Sequence, residues 1–245
     1  MRTARREQVI LAAAQRRLLP QAAPEFPGYE LCLAYRPTRV VTGDYHDFFP
    51  RPDGRLAVFV GDGSGHGPVA SMLTTTMRTI LHTHARLHRN PGATLSRVAP
   101  LFYATTVADQ FMTGVYLLLG EKGRVSWASA GHDPPQRVSP RGEVTPVDLG
   151  PVGLPLGLSA ATGYATVRWR LCKGERLLLF TDGLVETRRE DGEVFGRHRL
   201  RAGLAGLASV PLPEMVRRLI AQAEAHQRSG QFEDDVTIVA VERVA

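Results

Sequence analysis

The chain has 245 residues, of which 43% are hydrophobic and 22% are charged, and this balance excludes a disordered or collagen-like chain. A chain of this length can bury a core without disulfides or a structural metal, so one domain is the best expectation. The net charge of +6 is a mild excess that attracts anions but argues only weakly for nucleic acid. The longest apolar run, residues 9–14, is far shorter than the roughly 20 residues that span a membrane. Because no signal-peptide cleavage pattern follows it, we expect a cytoplasmic protein that binds neither nucleic acid nor membrane.

The first predicted elements in chain order are a helix and a linker. Residues 3–19 place Ile10, Ala14 and Leu18 at helical spacing on one face, and three prolines between residues 20 and 27 then interrupt the helix. This segment has three interpretations: a dimerisation helix, the end of an upstream coiled linker, or a helix docked on the domain. We therefore expect a helical N-terminal extension over residues 1–25 and one domain over residues 26–245.

Strands, a helix pair, more strands, two helices and a final strand follow the linker. Alternating or continuous apolar runs predict strands at residues 29–35, 56–60, 112–119, 124–130, 164–171, 176–180 and 236–241. Apolar residues at helical spacing predict helices at residues 71–89, 94–108, 196–207 and 213–227. Because strands and helices do not alternate regularly, the order predicts an α+β protein with antiparallel sheets covered by helices.

Four short acidic motifs lie beside glycine or at the edge of an apolar strand. They are Gly43-Asp44-Tyr45-His46-Asp47, Gly61-Asp62-Gly63-Ser64-Gly65-His66-Gly67, Thr181-Asp182-Gly183 and Asp234-Asp235-Val236-Thr237. An aspartate at the end of a buried strand is costly to desolvate unless it is paired, hydrogen-bonded or bound to a cation. Several such aspartates without a Cys or His cluster suit Mg²⁺ or Mn²⁺ rather than zinc. Two such ions about 3.5–4 Å apart can activate a bridging water for attack on a phosphoryl group.

Each motif alone also has an ordinary structural interpretation. Asp182-Gly183 is a common turn dipeptide, and Asp234-Asp235 suits a turn or a surface acid pair. The glycine-rich residues 61–67 lack the Lys and Ser/Thr of a Walker loop and the spacing of the dinucleotide fingerprint, which disfavours nucleotide binding there. The order of the four motifs is more informative than any one of them.

Taken in order, the motifs resemble those of the metal-dependent protein phosphatases, the PPM or type 2C family, and most of all the bacterial SpoIIE/RsbU-type serine phosphatase domain. Further matching stretches are Ala130-Gly131-His132-Asp133-Pro134-Pro135, Pro155-Leu156-Gly157-Leu158, Lys173-Gly174-Glu175-Arg176-Leu177 and Phe195-Gly196. The resemblance covers about residues 19–243. It implies a four-layer α-β-β-α sandwich of two antiparallel sheets flanked by helices. It also implies hydrolysis of phosphoserine or phosphothreonine in a protein, by a hydroxide that bridges two Mn²⁺ or Mg²⁺ ions.

The resemblance assigns the first two motifs to these ions. Asp44 would bind one ion, Asp62 would bridge both, and the Gly63 carbonyl would bind the second. Gly63 stands where this subfamily usually has Val, a change that leaves a carbonyl ligand intact. His46 is interpreted either as a neutral surface residue or as a contact of the site water, and His66 either as a hydrogen-bonding neighbour of the site or as part of the turn.

The last two motifs would complete the first ion's site. Asp182 and Asp234 are the implied ligands, and Asp235 is a second choice because the wider family often has another polar residue there. The implied catalytic set, which is complete in this chain, is Asp44, Asp62, Asp182 and Asp234. Its completeness predicts an active enzyme.

The resemblance also implies a partner. Relatives commonly dephosphorylate anti-sigma-factor antagonists, which are STAS-domain proteins, so the expected substrate is such a phosphoprotein. A homodimer through the N-terminal helix is a further expectation. The competing interpretation is a catalytically weak, phosphatase-like module that binds or regulates a partner without turnover.

Overall fold

The computed structural model describes residues 2–65, 67–107, 109–148, 150–227 and 231–245, with the backbone alone for residues 2–8. The elements in chain order are α1 (Arg2–Leu18), β1 (Tyr29–Arg36), β2 (Asp44–Pro50), β3 (Leu56–Gly63), α2 (Pro68–Ala85), α3 (Pro91–Thr105), β4 (Met112–Leu119), β5 (Arg124–Ala130), β6 (Gln136–Val138), β7 (Val144–Pro146), β8 (Val167–Arg170), β9 (Arg176–Phe180), α4 (Gly183–Glu186), α5 (Gly196–Gly206), α6 (Leu212–His226) and β10 (Val236–Arg243). They form two compact units. The first unit comprises residues 1–21, 39–132 and 149–170, and the second comprises residues 22–38, 133–148 and 171–245.

The first unit is built on a five-stranded antiparallel sheet with strand order β2-β3-β4-β5-β8. Short connections join β2 to β3 and β4 to β5, so strands that are consecutive in the chain pair directly. Helices α2 and α3 pack together, α3 lies on β4 and β5, and α1 packs on α2. The side chain of Asn90 accepts a hydrogen bond from the Ala93 N–H, and this cap sets the start of α3.

An aromatic ring fills the space that two glycines leave in this sheet. Gly61 and Gly114 are direct partners across β3 and β4. A Cβ atom on Gly114 would lie 2.4 Å from the Cζ atom of Phe59, and one on Gly61 would lie 2.7 Å from its Cε1 atom. The Tyr45 ring packs beside Phe59 with centroids 5.2 Å apart. Glycine inside these strands therefore marks a close packing contact.

The second unit is built on a five-stranded antiparallel sheet with strand order β1-β10-β9-β6-β7. Helices α5 and α6 supply the apolar side chains that cover one face of this sheet. The buried cluster on that face includes Leu178, Phe180, Ile238 and Ala240 from the strands and Leu200, Leu204, Met215 and Leu219 from the helices. The predicted α+β class, with two antiparallel sheets flanked by helices, is confirmed.

The buried face of the N-terminal helix is not centred on the apolar residues Ile10, Ala14 and Leu18, of which only Leu18 is half-buried. Ala12, Gln15 and Leu19 are buried, whereas Ile10 is 61% exposed and Ala14 is exposed. The sequence pattern consists of apolar residues only. Gln15 is polar, so that pattern could not indicate that it is buried. Among the described residues, no helix has the length and hydropathy needed to cross a membrane.

We predict that Gly114→Ala destabilises the protein because the new methyl group would overlap the Phe59 ring. Overpacking of this kind costs about 1–3 kcal/mol in the free energy of unfolding, which urea denaturation measures. The matched control is Gly163→Ala, because Gly163 is exposed and a Cβ atom there meets no atom within 4 Å. Equal unfolding midpoints for the two variants would contradict the prediction.

Candidate functional site

Two aspartates oppose each other at one end of the sheet in the first unit. Asp44 begins β2, and Asp62 is its direct antiparallel partner near the end of β3. Side chains at such paired positions lie on the same face, with Cβ atoms about 4.5–5.5 Å apart. Asp44 is only 2% exposed and Asp62 is half-buried. Because directly opposed like charges are destabilising, a cation bound between these carboxylates would stabilise the pair.

Oxygen atoms converge on the space above Gly43. A Cβ atom at Gly43 would lie 2.6 Å from the Gly63 carbonyl oxygen, 3.2 Å from Asp62 Oδ1 and 3.3 Å from the Gly65 carbonyl oxygen. The Gly63 N–H donates to the Gly43 carbonyl over 3.0 Å and so holds the two segments together. Carboxylate and carbonyl oxygens are the ligands that Mg²⁺ and Mn²⁺ prefer. The residues present therefore fit a hard divalent cation, and the absent side chain at position 43 leaves the oxygens accessible.

A buried amide holds the backbone that leads into Asp44. The Gln15 Nε2 atom donates to the Thr42 carbonyl over 2.8 Å and to Thr74 Oγ1 over 3.1 Å. The Thr42 N–H donates in return to Gln15 Oε1 over 3.1 Å. Gln15 lies on α1 and Thr74 on α2, so both helices fix this segment. Sequence reasoning missed Gln15, since glutamine on a helix is ordinarily exposed.

Two histidines lie close to the aspartate pair. His132 is 7% exposed, and its Nδ1 atom is 2.8 Å from the hydroxyl of Thr113, the direct strand partner of Asp62. His46 is fully buried on β2, where burial lowers its pKa and its Nε2 atom is 3.0 Å from the Pro20 carbonyl. The interpretation of His46 as a surface residue is wrong because residues 44–47 of the first motif are buried in β2. His66 lies outside the described residues.

The second unit carries an acidic cluster of its own. Asp182 follows the buried strand β9 and precedes the single-turn helix α4. The pKa of Asp182 is raised to about 6, chiefly by burial and also by the nearby carboxylates of Glu186, Asp234 and Asp133. Desolvation and like charges both disfavour the ionised form of a carboxyl group, and a bound cation would reverse both effects. A cation bound beside Asp182 would therefore favour its ionised form.

Asp234 and Asp235 have different environments within this cluster. Asp234 is exposed, and its Oδ1 atom accepts a hydrogen bond of 2.8 Å from the Asp235 N–H. Asp235 is 5% exposed, and its Oδ1 atom accepts bonds from Thr38, at 2.8 Å from the N–H and 3.1 Å from the hydroxyl. One oxygen of Asp235 therefore already fixes the chain that follows β1. A Cβ atom on Gly183 would lie 2.1 Å from the Asp235 carbonyl oxygen, so the turn after Asp182 requires glycine.

Sequence reasoning did not select Asp133, although it belongs to the motif at residues 130–135. Its Oδ1 atom pairs with the Nη2 atom of Arg197 at 2.5 Å, and its charge contributes to the raised pKa of Asp182. Within the chain that the structure describes, no group of three or more His, Cys, Asp or Glu side chains is arranged to hold a metal ion. The first unit thus brings Asp44, Asp62 and Gly63 together, and the second brings Asp182 close to Asp234.

Comparison with known proteins identifies a family. The family model described as Stage II sporulation protein E (SpoIIE) matches residues 52–244. The phosphoserine phosphatase RsbU of Bacillus subtilis is 26% identical over 235 residues, which are 96% of this chain and 69% of RsbU. The protein IcfG of a Synechocystis strain is 24% identical over 94% of this chain, but the chain spans only 40% of IcfG.

Solved structures have the same fold. The SiaA-PP2C domain of Pseudomonas aeruginosa superposes with a TM-score of 0.84 at 22% identity, covering 98% of this chain and 97% of that domain. The RsbU and RsbW domains of Rv1364c from Mycobacterium tuberculosis superpose with a TM-score of 0.78 at 26% identity, covering 93% of this chain and 63% of that chain. A structure of RsbX in complex with magnesium superposes with a TM-score of 0.65 at 18% identity, covering 89% of this chain and 97% of that one.

We predict that Gln15→Leu destabilises the protein because it leaves the buried Thr42 backbone without the amide that pairs with it. An unmet buried hydrogen-bonding group costs about 1–3 kcal/mol, measured as a lower free energy of unfolding in urea. Gln21→Leu is the matched control, because the Gln21 side chain is exposed and donates to the backbone carbonyls of Arg16 and Leu19 near the end of α1. The prediction fails if Gln15→Leu unfolds at the wild-type urea concentration.

Proposed function

The chain belongs to the SpoIIE family, and on that premise we propose that it is a metal-dependent phosphatase that hydrolyses phosphoserine or phosphothreonine in a protein. The observation that carries the proposal is the oxygen-lined space at Gly43, beside the opposed pair Asp44 and Asp62. Carboxylate and carbonyl oxygens are the ligands that Mg²⁺ and Mn²⁺ prefer. These ions promote the direct attack of water on a phosphoryl group. The proposed cofactor is two such ions.

The first unit supplies one set of proposed ligands. The Asp44 and Asp62 carboxylates and the Gly63 carbonyl would hold metal at the end of β2 and β3. When bound, such a metal lowers the pKa of coordinated water and neutralises charge that develops on a phosphoryl group. The protein's own part is to fix these oxygens, because Gln15 and the β2–β3 pairing leave the Asp44 backbone little freedom.

The second unit supplies the other set. Asp182 and Asp234 are the proposed metal ligands there. Their support is the negative charge of the carboxylates that surround Asp182. Asp235 remains the second choice as a metal ligand. Its bonds to Thr38 favour a positioning role, in which it orders the backbone beside Asp234. Both sets are proposed to serve the same hydrolysis, with the four aspartates Asp44, Asp62, Asp182 and Asp234 as the catalytic set.

The proposed substrate is a phosphoprotein, and a STAS-domain anti-sigma-factor antagonist in bacterial partner-switching control of transcription is the specific proposal. Its support is the similarity to RsbU, which is a phosphoserine phosphatase. A homodimer through α1 is the second partner proposal. The helix exposes Val9 and Ile10 at 56% and 61%, and adjacent exposed apolar side chains favour burial against another chain.

We predict that Asp62→Asn and Asp182→Asn each lower the Mn²⁺-dependent hydrolysis of p-nitrophenyl phosphate by at least about 100-fold, because each removes a charged metal ligand. Hydrolysis by the unchanged protein should stop when EDTA is added and resume with excess Mn²⁺. The matched control is Asp109→Asn, since Asp109 is exposed and has a positive φ of 66° that asparagine tolerates. Hydrolysis that survives both active-site substitutions, or that needs no divalent ion, would overturn the proposal.

For the dimer, we predict that Ile10→Glu converts a dimer into a monomer, because it places a charge on the apolar surface of α1. Light scattering coupled to size-exclusion chromatography measures the mass of both forms. Ala221→Glu, at an exposed position of α6 away from the N-terminal helix, is the control and should leave the mass unchanged. A wild-type protein that is monomeric across the micromolar range contradicts this part of the proposal.

A further inference from the structure

A cavity of about 670 Å³ opens in the first unit at the end of the sheet remote from Asp62. It is lined by the β2–β3 turn, the loop between α2 and α3, and residues of β4, β5 and β8. Arg55 lies in its wall just before β3, whereas Asp62 lies near the other end of that strand. At about 3.3 Å per residue, roughly 20 Å of strand separates them. The cavity is therefore distinct from the proposed metal-binding residues.

Arginine dominates the charge of this cavity. Its wall contains Arg55, Arg89, Arg124 and Arg168, against the two carboxylates of Asp53 and Glu121. Asp53 is already engaged, because its Oδ2 atom is 2.6 Å from Arg55 and 3.3 Å from the buried Arg51. Among the residues that the structure describes, Arg89, Arg124 and Arg168 form no ion pair. Three guanidinium groups thus line the cavity with unused donors.

The sheet register places two of these arginines on one face. Arg124 pairs with Arg170, and Ser126 pairs with Arg168, in the β5–β8 ladder. Arg124 and Arg168 are therefore diagonal neighbours on the same side, about 7–8 Å apart at the backbone. Directly opposed like charges such as Arg124 and Arg170 are destabilising unless a counter-charge lies between or beside them. An anion bound at the β5–β8 edge would therefore reduce the repulsion between these arginines.

The wall of the cavity is held in place by the backbone. The Arg55 guanidinium donates to the Arg89 carbonyl, which ties the β2–β3 turn to the loop between α2 and α3. The Gly120 N–H donates to the Arg124 carbonyl over 2.8 Å and closes the β4–β5 turn. Trp169 also lines the cavity, with its ring 6.0 Å from that of Trp127. A fixed basic wall suits an anion that needs several guanidinium contacts.

We propose that this cavity binds a small anion carrying two or more phosphoryl groups, such as pyrophosphate or a nucleoside polyphosphate. Guanidinium groups bind phosphoryl oxygens in pairs with charge-assisted hydrogen bonds, and a polyphosphate is long enough to contact arginines from different strands. The volume is within the range of small-ligand sites, roughly 300–1,000 Å³. The site lies outside the proposed catalytic residues, so its occupancy and phosphate-ester hydrolysis are separately measurable.

The test uses the full chain in EDTA, so that divalent metal and hydrolysis play no part. Isothermal titration calorimetry measures the occupancy of the cavity directly. We expect pyrophosphate and ATP to bind with dissociation constants below about 1 mM, and the affinity to fall as salt is added. Tighter binding of ATP would assign the site to nucleotides, and equal or tighter binding of pyrophosphate would assign it to the polyphosphate group alone.

The variants test the arginines directly. Arg124→Gln combined with Arg168→Gln should weaken binding by about 10-fold or more, while the Lys versions at both positions should retain part of it. Glu121→Gln removes a negative charge from the wall and should tighten binding by about two- to fivefold. Arg97→Gln, at an exposed position of α3 outside the cavity, is the matched control. Absence of binding below about 1 mM, or equal losses in the double variant and the Arg97 control, would overturn the proposal.

Discussion

Two carboxylates held opposite each other by the β2–β3 ladder are the constraint around which the first unit is organised. Asp44 is almost fully buried, and its strand partner is another aspartate, an arrangement that costs free energy unless a cation compensates the charge. The neighbouring contacts restrict the backbone around these residues. Gln15 ties α1 and α2 to the backbone before Asp44, and Gly43 keeps the space beside Asp62 open. A rigid arrangement of oxygen atoms is what the proposed metal site needs before a metal binds.

The second unit also holds carboxylates close together, but around a turn between a strand and a helix rather than across a strand pair. Asp182 lies at the end of a strand and at the start of a single turn of helix, where burial and neighbouring carboxylates raise its pKa. The turn after it requires glycine because the Asp235 carbonyl occupies the place of a side chain. One carboxylate oxygen of Asp235 accepts the hydrogen bonds from Thr38. Asp235 therefore fixes the backbone, whereas the adjacent Asp234 is the proposed metal ligand. Family membership and this charge pattern support the same function, phosphoryl hydrolysis.

Part of the basic excess of the chain lies in one cavity. Arg55, Arg89, Arg124 and Arg168 line one cavity of the first unit, at the end of the sheet remote from the acidic pair. The antiparallel register produces this separation, since the β3 strand begins at one group and ends at the other. Opposite charges at the two ends of a sheet neither neutralise each other nor compete for the same ligand. An anion site and a cation site can therefore coexist on one scaffold.

The sequence by itself determined the fold class, most strand positions and the identity of the acidic motifs, because apolar periodicity and glycine beside aspartate are local signals. The boundaries of β4, β5 and β9 follow from residues 112–119, 124–130 and 176–180 alone. Only the tertiary structure decided which face of α1 is buried, that His46 is interior, and that Gln15, Asp133 and the four cavity arginines have partners or neighbours distant in the chain. Strand register and helix docking bring such residues together, and neither leaves a periodic pattern in a single sequence.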